Sequence, residues 1–197
     1  MYKNDYLGLA DYGGCCQADV DRAVAEYADE IAEVKKAGTN CLSTIACGRC
    51  SREGSAAQYS PPKEGKPGSI TICTRFAKRL LAHELQHAKN CKSPLCGNGN
   101  LAACKEVLCQ EISAYICEHQ GTGEDCDKTS NHFSYEKCRI RAWVSVGGRP
   151  GNTNVGVCPS CNRHIMGTTE NEMNFIPPNV PMRCYEPKCV ITRRPKK

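Results

Sequence analysis

Residues 81–88 read Leu-Ala-His-Glu-Leu-Gln-His-Ala and contain the pattern H-E-x-x-H. The surrounding apolar residues recur at helical spacing and predict a helix over residues 74–89. Residues four apart lie on one face of a helix, so His83 and His87 can bind one zinc ion. Glu84 then stands beside the metal's water and is predicted to be its general base. The alternative is an ordinary helix that carries two surface histidines.

A zinc hydrolase site needs a third protein ligand, and Glu111 is the best candidate. Its helical neighbours are Val107, Leu108, Ala114 and Tyr115, so the carboxylate is expected on an apolar face. A buried carboxylate needs a cation or hydrogen-bond donors, and a zinc ion satisfies that need. The alternative is a glutamate at the edge of the core that pairs with a lysine or arginine.

The sequence offers further candidates for two roles, the third metal ligand and the group that stabilises an oxyanion. Glu106, on a more polar face, and His119 and Asp125, which follow, are alternative third ligands. Nothing in the sequence selects the group that would stabilise an oxyanion; the candidates are Tyr115, His132, Tyr135 and Arg139.

The remaining pattern predicts an α+β chain. Helical periodicity marks residues 19–36 and 101–118, and residues 135–146 are a helix or an extended segment. Residues 69–73 predict a short edge strand on which an extended peptide could dock, the alternative being a core strand. Residues 47–68, rich in Ser, Gly, Pro and Lys, predict an exposed loop. We expect a main domain over residues 1–146 and a cysteine- and proline-rich extension over 147–197.

Composition excludes several classes of protein. The chain has 197 residues, 40% hydrophobic and 24% charged, which suits a domain with an apolar core. No apolar run approaches the roughly 18 residues of a membrane helix, so no transmembrane segment is expected; peripheral membrane association stays open. The net charge of +5 is scattered apart from a basic tail, so no nucleic-acid partner is expected. The first residues do not read as a secretion signal.

Cysteine is the strongest compositional signal, with 17 residues in the chain. Their mostly irregular spacing favours disulfides and an oxidising compartment. Cys47-Gly-Arg-Cys50 and Cys158-Pro-Ser-Cys161 have the spacing of a zinc knuckle, so a second, structural zinc is the alternative. Connectivity cannot be read from the sequence.

A family resemblance joins these features. Five motifs follow one another along the chain: Cys47-x-x-Cys50, the H-E-x-x-H stretch with Cys91, Cys109-Gln110-Glu111-Ile112-Ser113-Ala114, Gly123-Glu124-Asp125-Cys126 and Cys138-Arg139-Ile140-Arg141-Ala142. In this order they resemble the mitochondrial intermembrane-space metalloproteases that process an ATP synthase subunit. The resemblance covers residues 41–146. The chain departs from that family at Asn90, where an acidic residue is expected, and at its end, where Cys158-Pro-Ser-Cys161, Cys184 and Cys189 are not part of the resemblance.

The resemblance implies a zincin-like fold, zinc bound at Glu111, disulfides, and a role in protein maturation in the mitochondrial intermembrane space. The function expected is that of a zinc endopeptidase, in which Glu84 activates a zinc-bound water to cut a peptide or protein substrate. The alternatives are a non-catalytic assembly or chaperone factor that keeps the fold, and a cysteine-rich interaction protein. A secreted or cytoplasmic location is the alternative to the mitochondrial one.

Overall fold

The computed structural model describes residues 17–37, 40–50, 55–91, 100–122, 136–147, 158–161 and 180–192. These residues form a mixed α+β structure, as expected. The elements are α1 (Gln17–Glu26), α2 (Ala28–Ala37), β1 (Thr44–Cys47), β2 (Ala57–Ser60), β3 (Ser69–Ile72), α3 (Ala77–Lys89), α4 (Leu101–Thr122) and α5 (Glu136–Gly147), with short 3-10 helices at Pro159–Cys161 and Met182–Cys184.

The three strands form one small sheet in the order β1-β3-β2. β3 pairs in parallel with β1 and antiparallel with β2. Its side chains alternate, with Ile70 and Ile72 buried and Ser69 and Thr71 half-buried. The prediction of a strand here is confirmed, but its assignment to the sheet edge was wrong. Strand order depends on pairing between distant segments, which the local alternation of residues 69–73 does not encode.

β2 lies inside the segment predicted to be an exposed loop, so that prediction was wrong for residues 57–60. Tyr59 anchors this strand, since its hydroxyl donates to the Cys41 carbonyl oxygen at 2.8 Å. Burial raises the pKa of Tyr59 to about 12, which keeps the hydroxyl a donor. Gly68 lies beside this bond, and a Cβ there would sit 2.2 Å from the Cys41 oxygen. The turn into β3 therefore needs glycine.

Cα positions group the described residues into two compact units. The first contains the residues up to 91, residues 117–122 and residues 189–192. In it, α3 packs against β2 and β3, and α1 packs against β1 and α3. The predicted helix over residues 19–36 is divided into α1 and α2 at Tyr27, where helical hydrogen bonds continue from Tyr27 N to Ala23 O and from Ile31 N to Tyr27 O.

The second unit contains residues 100–116, 136–147, 158–161 and 180–188. Its core is built from α4, α5 and the short helices, with Trp143 as its large aromatic residue. Two hydrogen bonds fasten the short segments: Cys158 N donates to Val146 O at 2.8 Å, and Ser113 Oγ donates to Cys184 O at 3.1 Å. The segment left open as helix or extended is thus helical, as α5.

All thirteen cysteines in the described ranges are disulfide-bonded, which confirms the disulfide interpretation. Five bonds join Cys41 to Cys91, Cys50 to Cys73, Cys104 to Cys161, Cys109 to Cys184, and Cys117 to Cys189. Neither C-x-x-C pair keeps a thiolate, which a structural zinc would require. Such a set of disulfides fits an oxidising compartment.

Within the described part of the chain, no helix combines the length and the apolar character that a bilayer-spanning segment requires. Much of the predicted C-terminal extension, residues 148–157 and 162–179, lies outside the described residues. The domain boundary between residues 146 and 147 therefore stays a prediction.

Candidate metal centre

α3 is buried on two opposite faces, and this is what positions the histidines. Leu81 and Leu85 are fully buried in the first unit's core. At 100° per residue, His83 and His87 lie on the opposite side of the helix from these leucines. They are nevertheless only 8% and 9% exposed. The helix therefore presents both imidazoles to a closed environment rather than to solvent.

The two imidazoles converge on one point. Their Nε2 atoms are 3.2 Å apart, and the rings meet edge to face with centroids at 4.9 Å. Two nitrogens that bind one tetrahedral zinc ion are about 3.3 Å apart, given bonds of about 2.0–2.1 Å. The spacing of the imidazoles is therefore already close to what a zinc ion requires.

Glu111 completes the group. The residue is 5% exposed, and one ligand atom from each of His83, His87 and Glu111 lies within 4.8 Å of the others. These three residues, all predicted from the sequence, could hold a metal ion. Two imidazoles and a carboxylate form a ligand set of the kind found in zinc hydrolases.

Glu118 contacts this group, and sequence reasoning missed it. Its Oε2 lies 3.1 Å from His83 Nδ1, and its Oε1 accepts a hydrogen bond from Arg79 Nε. The carboxylate is 4% exposed. It follows Glu111 by seven residues, which places both on one face of α4, and this spacing was the available signal. Arg79 and His83 are likewise one turn apart on α3.

Electrostatics keep Glu118 ionised. Burial raises its pKa, but the hydrogen bond and charge of His83, together with those of Arg79, outweigh burial and hold the pKa at about 2. A carboxylate can only accept, so the Nδ1 atom of His83 carries the proton in this contact. In a neutral ring the Nε2 lone pair of His83 then faces His87, and the two nitrogens must share either a proton or a cation.

Glu118 also bears on the departure from the family pattern at Asn90. Asn90 caps the C-terminal end of α3 through its backbone N–H, which donates to the carbonyl oxygen of His87. The carboxylate that contacts a histidine of this site instead comes from α4. A negative partner for the histidine is thus present, although not at the position that the resemblance suggests.

The structure also describes three other residues that the sequence singled out. Glu84 is buried, at 6% exposure, directly after His83. Glu106 forms an ion pair with Arg183 at 2.9 Å and is not in the metal-binding group. Tyr115 is half-buried and packs against the second core.

Five further candidates from the sequence lie outside what the structure describes. Asp125, His132 and Tyr135, together with the side chains of His119 and Arg139, lie outside the described residues. The alternatives that they represent stay predictions. Comparisons of the chain with protein-family models, with curated proteins and with solved structures found no match.

Proposed function

We propose that this chain is a zinc-dependent endopeptidase in which His83, His87 and Glu111 bind the zinc ion and Glu84 is the general base. The observation that carries the proposal is the convergence of three buried ligand atoms within 4.8 Å, two from α3, which also carries Glu84, and one from α4. Nitrogen and carboxylate ligands suit zinc better than magnesium or calcium, which prefer oxygen alone.

The chemistry divides between the metal and the chain. A bound zinc ion would polarise the scissile carbonyl and make a water molecule more acidic. Glu84 accepts the proton of that water as its oxygen attacks the carbonyl carbon. The same carboxyl group then returns the proton to the amide nitrogen as the C–N bond breaks, which leaves a free acid and a free amine.

The substrate is proposed to be an extended peptide docked on a sheet edge. β3 cannot serve, since both of its edges are paired. β2 is an edge strand and packs against α3. A peptide that pairs with the outer edge of β2 would run beside the helix that carries the histidines. An antiparallel edge strand next to the metal helix also supports the proposal of a zincin-like fold.

The deciding variant is Glu84→Gln, compared with Glu106→Gln as a matched control on an exposed ion pair. We expect Glu84→Gln to retain about one zinc per chain and to lose hydrolysis by roughly 10²–10⁴-fold, the usual contribution of a general base. Zinc content is measured on the purified chain, and cleavage on a mixture of unfolded proteins by mass spectrometry. Full cleavage by Glu84→Gln would refute the mechanism.

One observation favours a non-catalytic alternative. All three ligands are less than 10% exposed, so a large substrate has little access to the ligand atoms. An assembly factor that keeps the fold would bind zinc equally well in the wild type and in Glu84→Gln, and neither would cleave any substrate. The role in protein maturation, and the mitochondrial intermembrane space as the compartment, are proposed from the resemblance of residues 41–146.

A further inference from the structure

A buried chain of charges extends from the metal-binding group toward the surface. Glu118 accepts from His83 with one oxygen and from Arg79 with the other. Arg79 is 32% exposed on its side chain, whereas Glu118 is 4% exposed. Both oxygens of the carboxylate are therefore engaged, and neither is directed to solvent.

We propose that Glu118 is a positioning residue for the metal site, and that Arg79 holds Glu118 in place. The carboxylate fixes the orientation of the His83 ring and keeps the proton on Nδ1, so that Nε2 presents a lone pair to the metal. Carboxylates behind metal-binding histidines commonly have this effect and raise the basicity of the ligand. The inference rests on the proposed metal site, but it does not require that the site be catalytic.

A second set of contacts ties the part of α4 that carries Glu118 to α3. Cys117, the residue before Glu118, is disulfide-bonded to Cys189. Val190 N then donates to Gln86 Oε1, on the turn between the two histidines, at 3.2 Å. The side chain of Ile191 is buried in the first core. We call residues 189–191 the fastening segment, since they tie Glu118's position on α4 to α3.

The test is zinc affinity, measured by competition with a chromophoric chelator on the full chain. Glu118→Gln keeps an oxygen that can accept from Nδ1 but loses the negative charge, and we expect affinity to fall roughly 10- to 100-fold. Glu106→Gln, on the same helix but in an exposed pair, should bind zinc as the wild type does. Affinity of Glu118→Gln within about twofold of the wild type would overturn the proposal.

Two further measurements separate positioning from folding. The melting temperature of the metal-free variants shows whether a loss of affinity reflects unfolding. If Glu118→Gln does not fold, Arg79→Gln decides, because Arg79 is partly exposed: a smaller loss in the same direction supports the proposal, and unchanged affinity overturns it. Glu118→Ala, which removes the acceptor, should bind zinc more weakly than Glu118→Gln.

A further measurement, on the metal-free protein, depends on neither zinc binding nor catalytic activity. Nitrogen NMR shifts of the His83 ring, taken where the ring is neutral, should show a proton on Nδ1 in the wild type and a shift toward Nε2 in Glu118→Ala. An unchanged tautomer in that variant would overturn the role assigned to Glu118. Absence of cleavage by the wild type would overturn the peptidase proposal alone, since these readouts would still report on positioning.

Discussion

Among the residues that the structure describes, the two hydrophobic cores contain equal numbers of buried residues but differ in composition. Each cluster contains fourteen buried residues. In the first unit they are Val, Ile, Leu and Ala with one tyrosine, and none is a cysteine. In the second unit six of the fourteen are cysteines, all of them disulfide-bonded. The first core is therefore stabilised mainly by removal of apolar surface from water, and the second depends strongly on covalent links.

The largest expected effect on stability comes from removing a disulfide bond of the second core. Replacing Cys104 and Cys161 by alanine opens a link across 57 residues, and loss of this link should cost about 4 kcal/mol on chain entropy. Trp143 is the single tryptophan of the chain and lies in this core. Its emission should shift to the red at lower urea concentration than in the wild type.

The matched control removes Cys50–Cys73 from the first unit, a link across 23 residues whose entropic value is about 3 kcal/mol. Both of these cysteines lie outside the two core clusters. The tryptophan transition should then stay near its wild-type midpoint. If both double variants moved the Trp143 transition equally, the contrast between the cores would fail.

The reverse experiment weakens the apolar core. Ile72 is fully buried on β3, and Ile72→Ala should cost about 2–5 kcal/mol through lost transfer energy and the cavity left behind. Far-UV circular dichroism in urea measures the loss. Lys63→Ala, on an exposed residue, is the control and should stay within about 0.5 kcal/mol of the wild type.

Acid should also affect the first unit more than the second. The folded pKa of Glu118, about 2, lies below its ordinary value of 4.5. Its contribution is therefore fully present above the ordinary pKa and is lost as pH falls from about 5 toward 2. For the metal-free protein this amounts to about 3 kcal/mol, since one pKa unit corresponds to about 1.4 kcal/mol. Urea midpoints across this range measure it.

Two variants sharpen the acid experiment. Glu118→Gln should flatten this part of the stability profile. Glu106→Gln in the second unit should leave it unchanged, because exposed ion pairs contribute little. A wild-type profile that is flat between about pH 5 and 2 would contradict the role assigned to the buried pair.

The smallest effect concerns a single hydrogen bond in the first unit. Tyr59→Phe removes the donation to the Cys41 carbonyl and should cost about 1 kcal/mol, the net value of a typical bond. The ring remains, so packing against the first core persists. A urea titration followed by circular dichroism measures the change, which should not be detected by Trp143.

The sequence predicted the features that depend on local periodicity. α3, α4 and the strand at β3 follow from apolar spacing within each segment, and the candidate metal-binding group follows from residues four apart on α3 and a glutamate on an apolar face of α4. The features that could not be predicted depend on contacts between segments that are distant in the sequence. β2 has only four residues in a loop-like segment, β3 is central through pairing with two other strands, and Glu118 acquires its role from Arg79 and His83.

The fastening segment has a consequence for the order in which the protein can be completed. Cys189 follows Cys117 by 72 residues, so the link beside Glu118 can form only in a chain that extends at least to residue 189. A shorter chain contains His83, His87 and Glu111 but cannot form this link. A nascent chain stopped at residue 188 would carry every proposed ligand and still lack the part that holds α3 and Glu118 together.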